Sequence, residues 1–266
     1  MRNIKLTLEY EGTNYLGWQR QPQGMTVQQA VEEAIEKITG VRAPVTGASR
    51  TDAGVHARGQ SANFRTESSL TPERLRGALN ALLPRDIVVL ESREVPPEFD
   101  SRFSARSKTY HYTLWTSNVR PAIRRNFCWH VRWATDVEAM REAAAALIGR
   151  KDFIAFQAAN AAAETTVRCV KRAEWVQNGH ELTFVIEADA FLYNMVRIIV
   201  GTLTEVGRGK ISPQEFRTII ETRDRTQAGR TAPPYGLCLL EVYYDLPPVT
   251  PVNGPASQLI EPHAVA

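Results

Sequence analysis

The succession of hydrophobic periods in the N-terminal part of the chain restricts its fold more than any other feature. Ile4, Leu6, Leu8 and Tyr10 fall on alternate positions, the period of a half-buried strand. After the turn-rich segment EGTNYLGWQRQPQG the period changes, and Val27, Ala30, Val31, Ala34, Ile35 and Ile38 form one apolar stripe of a helix. Thr26 and Gln29 match a capping box at its start, and Gly40 marks its end. Short strands are expected at 43–48 and 55–65, a second helix from Thr71 and Pro72 through Leu82, and a strand in DIVVLESREV. The order β-α-β-β-α-β predicts a ferredoxin-like module, an antiparallel sheet with its helices on one face.

A similar order with longer insertions is expected in the rest: a strand at 107–116, a helix at 136–148, strands near 165–177 and 181–188, helices at 191–206 and 212–222, and a strand at 236–244. The expected fold class is α+β, with two ferredoxin-like, RRM-like βαββαβ modules at residues 1–105 and 106–245. Side by side, their sheets would fuse into one extended, mixed, largely antiparallel sheet. Residues 246–266, LPPVTPVNGPASQLIEPHAVA, are rich in proline and small residues and are expected to form a flexible tail.

Composition narrows the functional classes. No apolar run reaches the eighteen or so residues of a membrane span. MRNIKLTLEY leads into alternating structure rather than a charged-then-apolar leader, so a cytoplasmic protein with no membrane partner is expected. Cys128, Cys169 and Cys238 are far apart and form no C-x-x-C pair, which signals neither a disulfide framework nor a zinc site. The formal net charge of +3 says little by itself; its distribution says more. From Ser101 to Arg132 there is no Asp or Glu, while Arg102, Arg106, Lys108, Arg120, Arg124, Arg125 and Arg132 are cationic. Phe103, Tyr110, Tyr112, Trp115, Phe127 and Trp129 are interleaved with them. Guanidinium groups among aromatics suit phosphates and unstacked bases, which points to an RNA-binding cleft between the modules; a solvated basic strand face is the plainer alternative.

GASRTDAGVHARGQ, residues 47–60, sets one carboxylate, Asp52, between Arg50 and Arg58 and close to His56. Spacing excludes several loop chemistries. A phosphate-cradling P-loop needs Lys after its second glycine, and Gly54 is followed by Val55. A zinc deaminase needs H-x-E with P-C-x-x-C, and His56 is followed by Ala57 and Arg58. A glycosidase needs a second carboxylate, and none lies near Asp52 in sequence. One acid among cations remains, which those cations are expected to hold ionised as a nucleophile or base. Spacing alone favours a capping or Asx-turn role for Asp52 instead.

Five segments in order, YEGTNYLGWQRQ, GASRTDAGVHARGQ, KTYHYTLW, FLYNMVR and GLCLLEVYY, together resemble the tRNA pseudouridine(38–40) synthase family, from about Asn3 to Tyr244. The resemblance implies isomerisation of uridine to pseudouridine at positions 38, 39 and 40 of the tRNA anticodon stem-loop, with no cofactor and no metal. It implies that Asp52 is the catalytic aspartate, that Arg197 forms an ion pair with it, and that Tyr110 stacks on the target uracil. Arg50 is expected to enter the RNA stem as the nucleotide leaves, Arg58 to contact phosphate, and Leu237 to wall the pocket. A homodimer with tRNA spanning both subunits is also implied. The residues alone leave other roles open: Tyr110 as an inward strand aromatic, Arg197 as a solvated helix arginine, Leu237 as an ordinary strand leucine. Tyr15, Trp18 and Arg20 are candidates for the cleft rim, with a structural aromatic anchor as the alternative for Trp18, and His56 is assigned to loop structure.

Two other classes compete. A non-catalytic pair of RRM-like modules would carry an RNP1-type strand, which is missing from the sequence. A phosphotransferase with an aspartyl nucleophile would want a second nearby acid and a metal.

Overall fold

A computed structural model describes residues 1–133, 135–158 and 164–246; the expected tail lies outside them apart from Leu246. The N-terminal half runs β1 (Arg2–Tyr10), α1 (Val27–Thr39), β2 (Thr46–Gly47), β3 (His56–Thr66), α2 (Pro72–Leu82) and β4 (Ile87–Val95). The C-terminal half runs β5 (Ala105–Trp115), β6 (Trp129–His130), α3 (Val137–Ala145), β7 (Gly149–Asp152), β8 (Val167–Asn178), β9 (Glu181–Ala188), α4 (Met195–Gly207), α5 (Pro213–Thr222) and β10 (Leu237–Tyr244).

The alternation in β1 has the expected consequence: Ile4, Leu6, Leu8 and Tyr10 are all buried. The stripe of α1 packs into the same core, with Ile38 half-buried against it. Only half of the expected capping box forms. The Thr26 hydroxyl accepts from the Gln29 amide at 3.3 Å, but the Gln29 side chain donates to Glu33 Oε1 at 2.8 Å instead of returning to the cap. The reciprocal box forms in α5, between Ser212 and Glu215. Helix α4 departs most from its expected form. It begins at Met195 rather than 191, because Asn194 takes a left-handed conformation at φ 60° and breaks the helical path. It is also buried on nearly every side, as a mostly apolar helix inside a domain must be.

The ten strands of the described residues join one mixed sheet of order β4-β1-β3-β10-β5-β9-β8-β7, with β2 pairing β3 and β6 pairing β5. The short strands β6 and β7 were not expected from periodicity, which needs more residues than they contain. Strand β3 gives one edge to β1 and shares the other between β10, at His56 and Ala57, and β2, at Ala62 and Asn63. The β3–β10 pairing is parallel and joins the two halves of the chain. Helix α1 packs on α2, and α3 on α4 and α5.

Candidate active site

The loop 47–55 enters the sheet beside the β3–β10 seam, and its backbone is held residue by residue. Gly47 pairs with Ala62, and a Cβ there would stand 2.3 Å from the Trp18 indole. The Ala48 carbonyl accepts from Lys108 Nζ at 2.5 Å. Ser49 is gripped by Gln60, whose carboxamide accepts from the Ser49 amide (3.3 Å) and donates to its carbonyl (2.6 Å). The Ser49 and Tyr110 hydroxyls are 2.7 Å apart, and so are those of Thr51 and Tyr10. Gly54 turns the chain into β3 at φ 77°, a conformation that a side chain would strain. The side chains of Arg50 and Asp52 are left free of this scaffold.

Asp52 is met by Arg197 from the first turn of α4, Nη1 to Oδ2 at 3.0 Å, with about one-sixth of each side chain exposed (16% and 17%). Two further acceptors orient the guanidinium: the Ala232 carbonyl takes Nε at 2.8 Å, and Asn194 Oδ1 takes Nη1 at 2.7 Å. The left-handed turn at Asn194 therefore starts the helix and also aims its side chain back at Arg197. Burial pushes the Asp52 carboxyl above the ordinary carboxylate range, and the hydrogen bond and charge of Arg197 only partly offset this. Removal from water thus outweighs the single arginine that reaches the carboxyl, an effect of burial that sequence spacing does not show.

Asp52 opens on a cavity of about 460 Å³ whose lining includes Arg50, Tyr110, Phe191, Leu237, Lys108 and Arg168. Tyr110 on β5 is buried, its ring meeting Phe191 edge-on at 5.0 Å between centroids. Burial pushes its phenol well above the usual range, against the Ser49 hydrogen bond and with the help of the Asp52 charge. Leu237, the first residue of β10, is buried beside it, and Arg50 is exposed at the rim. The structure thus brings Asp52, Arg197, Tyr110, Arg50 and Leu237 together.

It does not bring Arg58 there. Arg58 lines a different cavity, about 600 Å³, with His56, His111, Thr113, Cys238 and Arg124. His111 and Thr113 alternate with Tyr110 and Tyr112 on β5, so this cavity lies on the opposite face of the sheet. The basic segment is accordingly split between faces, and Arg124 is ion-paired with Glu181. The expected rim residues are anchors: Trp18 is fully buried, Tyr15 donates to Asp86 at 2.6 Å, and Arg20 pairs with Glu32 at 3.0 Å. His56 serves the loop. Its Nδ1 accepts from the Gly12 amide at 3.0 Å, while Nε2 faces the Asn126 and Tyr235 carbonyls, which selects the neutral Nε2–H tautomer. Among the described residues no group of three or more His, Cys, Asp or Glu side chains is arranged to hold a metal ion. Nor is any helix among them long and apolar enough to cross a membrane.

Ser49, Gln60, Phe191 and Asn194 escaped sequence reasoning, and Lys108 was read only as one cation of the basic segment. A buried polar residue such as Gln60 in an apolar strand carries a weak signal, but its partner is invisible without the fold.

The profile of a family described as tRNA pseudouridine synthase matches residues 7–104 and 143–245. The chain is 47% identical over 244 residues to tRNA pseudouridine synthase A 2 of Clostridium perfringens, covering 92% of this chain and 100% of that protein. It is 49% identical over 245 residues to tRNA pseudouridine synthase A of Geobacter sp. strain M21, covering 92% and 99%. It is also 49% identical over 244 residues to tRNA pseudouridine synthase A of Acetivibrio thermocellus, covering 92% and 100%. Matches of this extent leave no place for a non-catalytic pair of RNA-binding modules: the chain belongs to the tRNA pseudouridine synthase family, enzymes that isomerise uridine in tRNA to pseudouridine.

Proposed function

We propose that Asp52 is the catalytic aspartate and that the target uridines are those at positions 38, 39 and 40 of the anticodon stem-loop. The observation that carries the first part is the Asp52–Arg197 pair, assembled from both halves of the chain at the mouth of a cavity. The stem-loop positions rest on the resemblance of the five segments.

The reaction is balanced within the nucleotide. The target uridine leaves the stack, its C1′–N1 bond breaks with Asp52 acting at C1′ or on the base, the uracil turns, C5 bonds to C1′, and C5 loses its proton to solvent while N1 takes one up. Stacking on an aromatic contributes about 1 to 3 kcal/mol, which offsets much of the few kcal/mol needed to extrude a nucleotide. Tyr110 supplies that platform. Because its phenol is held protonated, its hydroxyl stays a hydrogen-bonding group fixed by Ser49 rather than a phenolate base. Leu237 walls the pocket, Arg197 orients Asp52, and Arg50 at the rim enters the vacated place in the stem, where its planar guanidinium can stack.

Two ferredoxin-like modules, 1–105 and 106–245, are the architectural part of the proposal. The strand order β4-β1-β3-β2 in one half and β10-β5-β9-β8 in the other supports it. The resemblance also carries a homodimer working in the cytoplasm, which sedimentation of the chain with and without tRNA tests.

Tritium release from tRNA labelled at uridine C5 tests the catalytic assignment. Wild type releases tritium at positions 38–40, and Asp52→Asn releases none above background. Undiminished release by Asp52→Asn would remove Asp52 from the reaction.

A further inference from the structure

Building on the assignment of Asp52 as the catalytic centre, we propose that Lys108, Arg102 and Arg168 form an anion seat in the same cavity that holds one backbone phosphodiester beside the extruded uridine. All three line the cavity into which Asp52 opens. They arrive from separate places: Arg102 from the link between β4 and β5, Lys108 from β5 two residues before Tyr110, and Arg168 from the start of β8.

None of the three joins an ion pair among the described residues, whereas Arg106, Arg124 and Arg172 each have a carboxylate. Asp52, the acid in the cavity lining, is engaged by Arg197. Their hydrogen-bonding capacity is also partly unused. Lys108 Nζ gives one donor to the Ala48 carbonyl, and an ammonium has three. Arg168 Nη1 donates to the Thr165 and Val167 carbonyls, but its buried Nε has no hydrogen-bond partner.

Clustered cations repel, with only the more distant charge of Asp189 acting on Arg168, and burial adds to the cost. The Lys108 ammonium shows both: burial first, then Arg102 and Arg168, push it down to about 8. A phosphodiester supplies the missing charge, and its oxygens accept from ammonium and guanidinium groups together. An extruded uridine carries one phosphodiester on each side, so a seat beside Asp52 would grip the backbone at the flipped nucleotide rather than along the stem.

The test measures binding of unmodified tRNA to the full chain in an Asp52→Asn background, where turnover cannot interfere, across a range of salt. Arg102→Gln and Arg168→Gln together are expected to flatten the slope of log Kd against log salt by about 1, the loss of one phosphate contact, with unchanged thermal melting. A second arm uses an anticodon stem-loop RNA with a neutral methylphosphonate on either side of the target uridine. One of the two weakens binding to the parent protein and makes no difference to the double variant. An unchanged salt slope, or a methylphosphonate penalty as large in the double variant as in its parent, overturns the seat. A slope reduced by about 2 or more overturns the single-phosphate form of it. Failure of the catalytic assignment is seen separately, in tritium release by Asp52→Asn, and leaves these binding results standing.

Discussion

Asn194 Oδ1 lies 2.7 Å from Arg197 Nη1, the same nitrogen that reaches Asp52 at 3.0 Å. The residue that breaks the chain before α4 thus also aims the counter-charge of the candidate catalytic acid. A left-handed non-glycine residue carries a conformational cost, which Asn bears better than most residues.

Substitutions at Asn194 separate its two roles. Asn194→Ala loses the acceptor and adds backbone strain of about 1 to 2 kcal/mol, so thermal stability falls together with activity. Asn194→Gly keeps the left-handed turn without strain and loses only the acceptor. Its kcat is expected to fall by about tenfold or more with KM little changed, as for a displaced catalytic group. Equal kcat for Asn194→Gly and wild type would show that the hydrogen bond does not position Arg197.

With Asp52 as the proposed catalytic acid, the acid limb of the pH–kcat profile is expected to report its carboxyl. Because burial raises its pKa, that limb is expected above the ordinary carboxylate range. Arg197→Met removes the one lowering influence, so the limb moves further towards neutrality and kcat at neutral pH falls, by about 100-fold or more. The stability sign follows from the same shift. An acid whose folded pKa is raised stabilises the fold below its unfolded pKa and loses that contribution as pH rises through the folded pKa. Asp52→Asn, which cannot charge, should therefore melt no lower than wild type at neutral pH while being inactive. A clearly lower melting temperature would contradict the balance of burial over pairing.

Lys108 supplies an alkaline counterpart. With its ammonium pushed down to about 8 and Arg102, Arg168 and Asp52 around it in the cavity, tRNA affinity should fall as pH rises past about 8. Lys108→Arg stays charged and should lose this dependence in a fluorescence titration. An identical alkaline limb in that variant would assign the effect elsewhere.

Gly47 gives a packing test remote from the charges. A methyl group at this position would meet the Trp18 indole ring at 2.3–2.7 Å, and that ring is fully buried while Gly47 is paired to β3. Gly47→Ala should destabilise the fold by about 1 to 3 kcal/mol, a drop of several degrees in Tm, and lower activity by shifting the loop. An unchanged melting curve would mean that Trp18 can move.

Periodicity made β1, α1, α2 and β4 legible, because each buries one regularly spaced face and the burial itself selects the residues. The loop around Asp52 was legible as a motif, and its company with Arg197, Tyr110 and Leu237 through resemblance. Charge counting misled where it treated Ser101 to Arg132 as one surface, since strand alternation sends Lys108 and His111 to opposite faces. Arg58, close to Asp52 in sequence, lines a separate cavity, which only the path of the chain into β3 decides.

The sequence by itself determined the longer elements, their order and the chemical inventory of the loop, all of which depend on local spacing. Only the tertiary structure decided which cations meet Asp52 and what its burial does to its charge. Those outcomes depend on the parallel join of β3 to β10 and on the turn at Asn194, which bring residues from distant parts of the chain within hydrogen-bond reach. Electrostatic interactions fall off with distance through space and with exposure to water, not with separation along the chain.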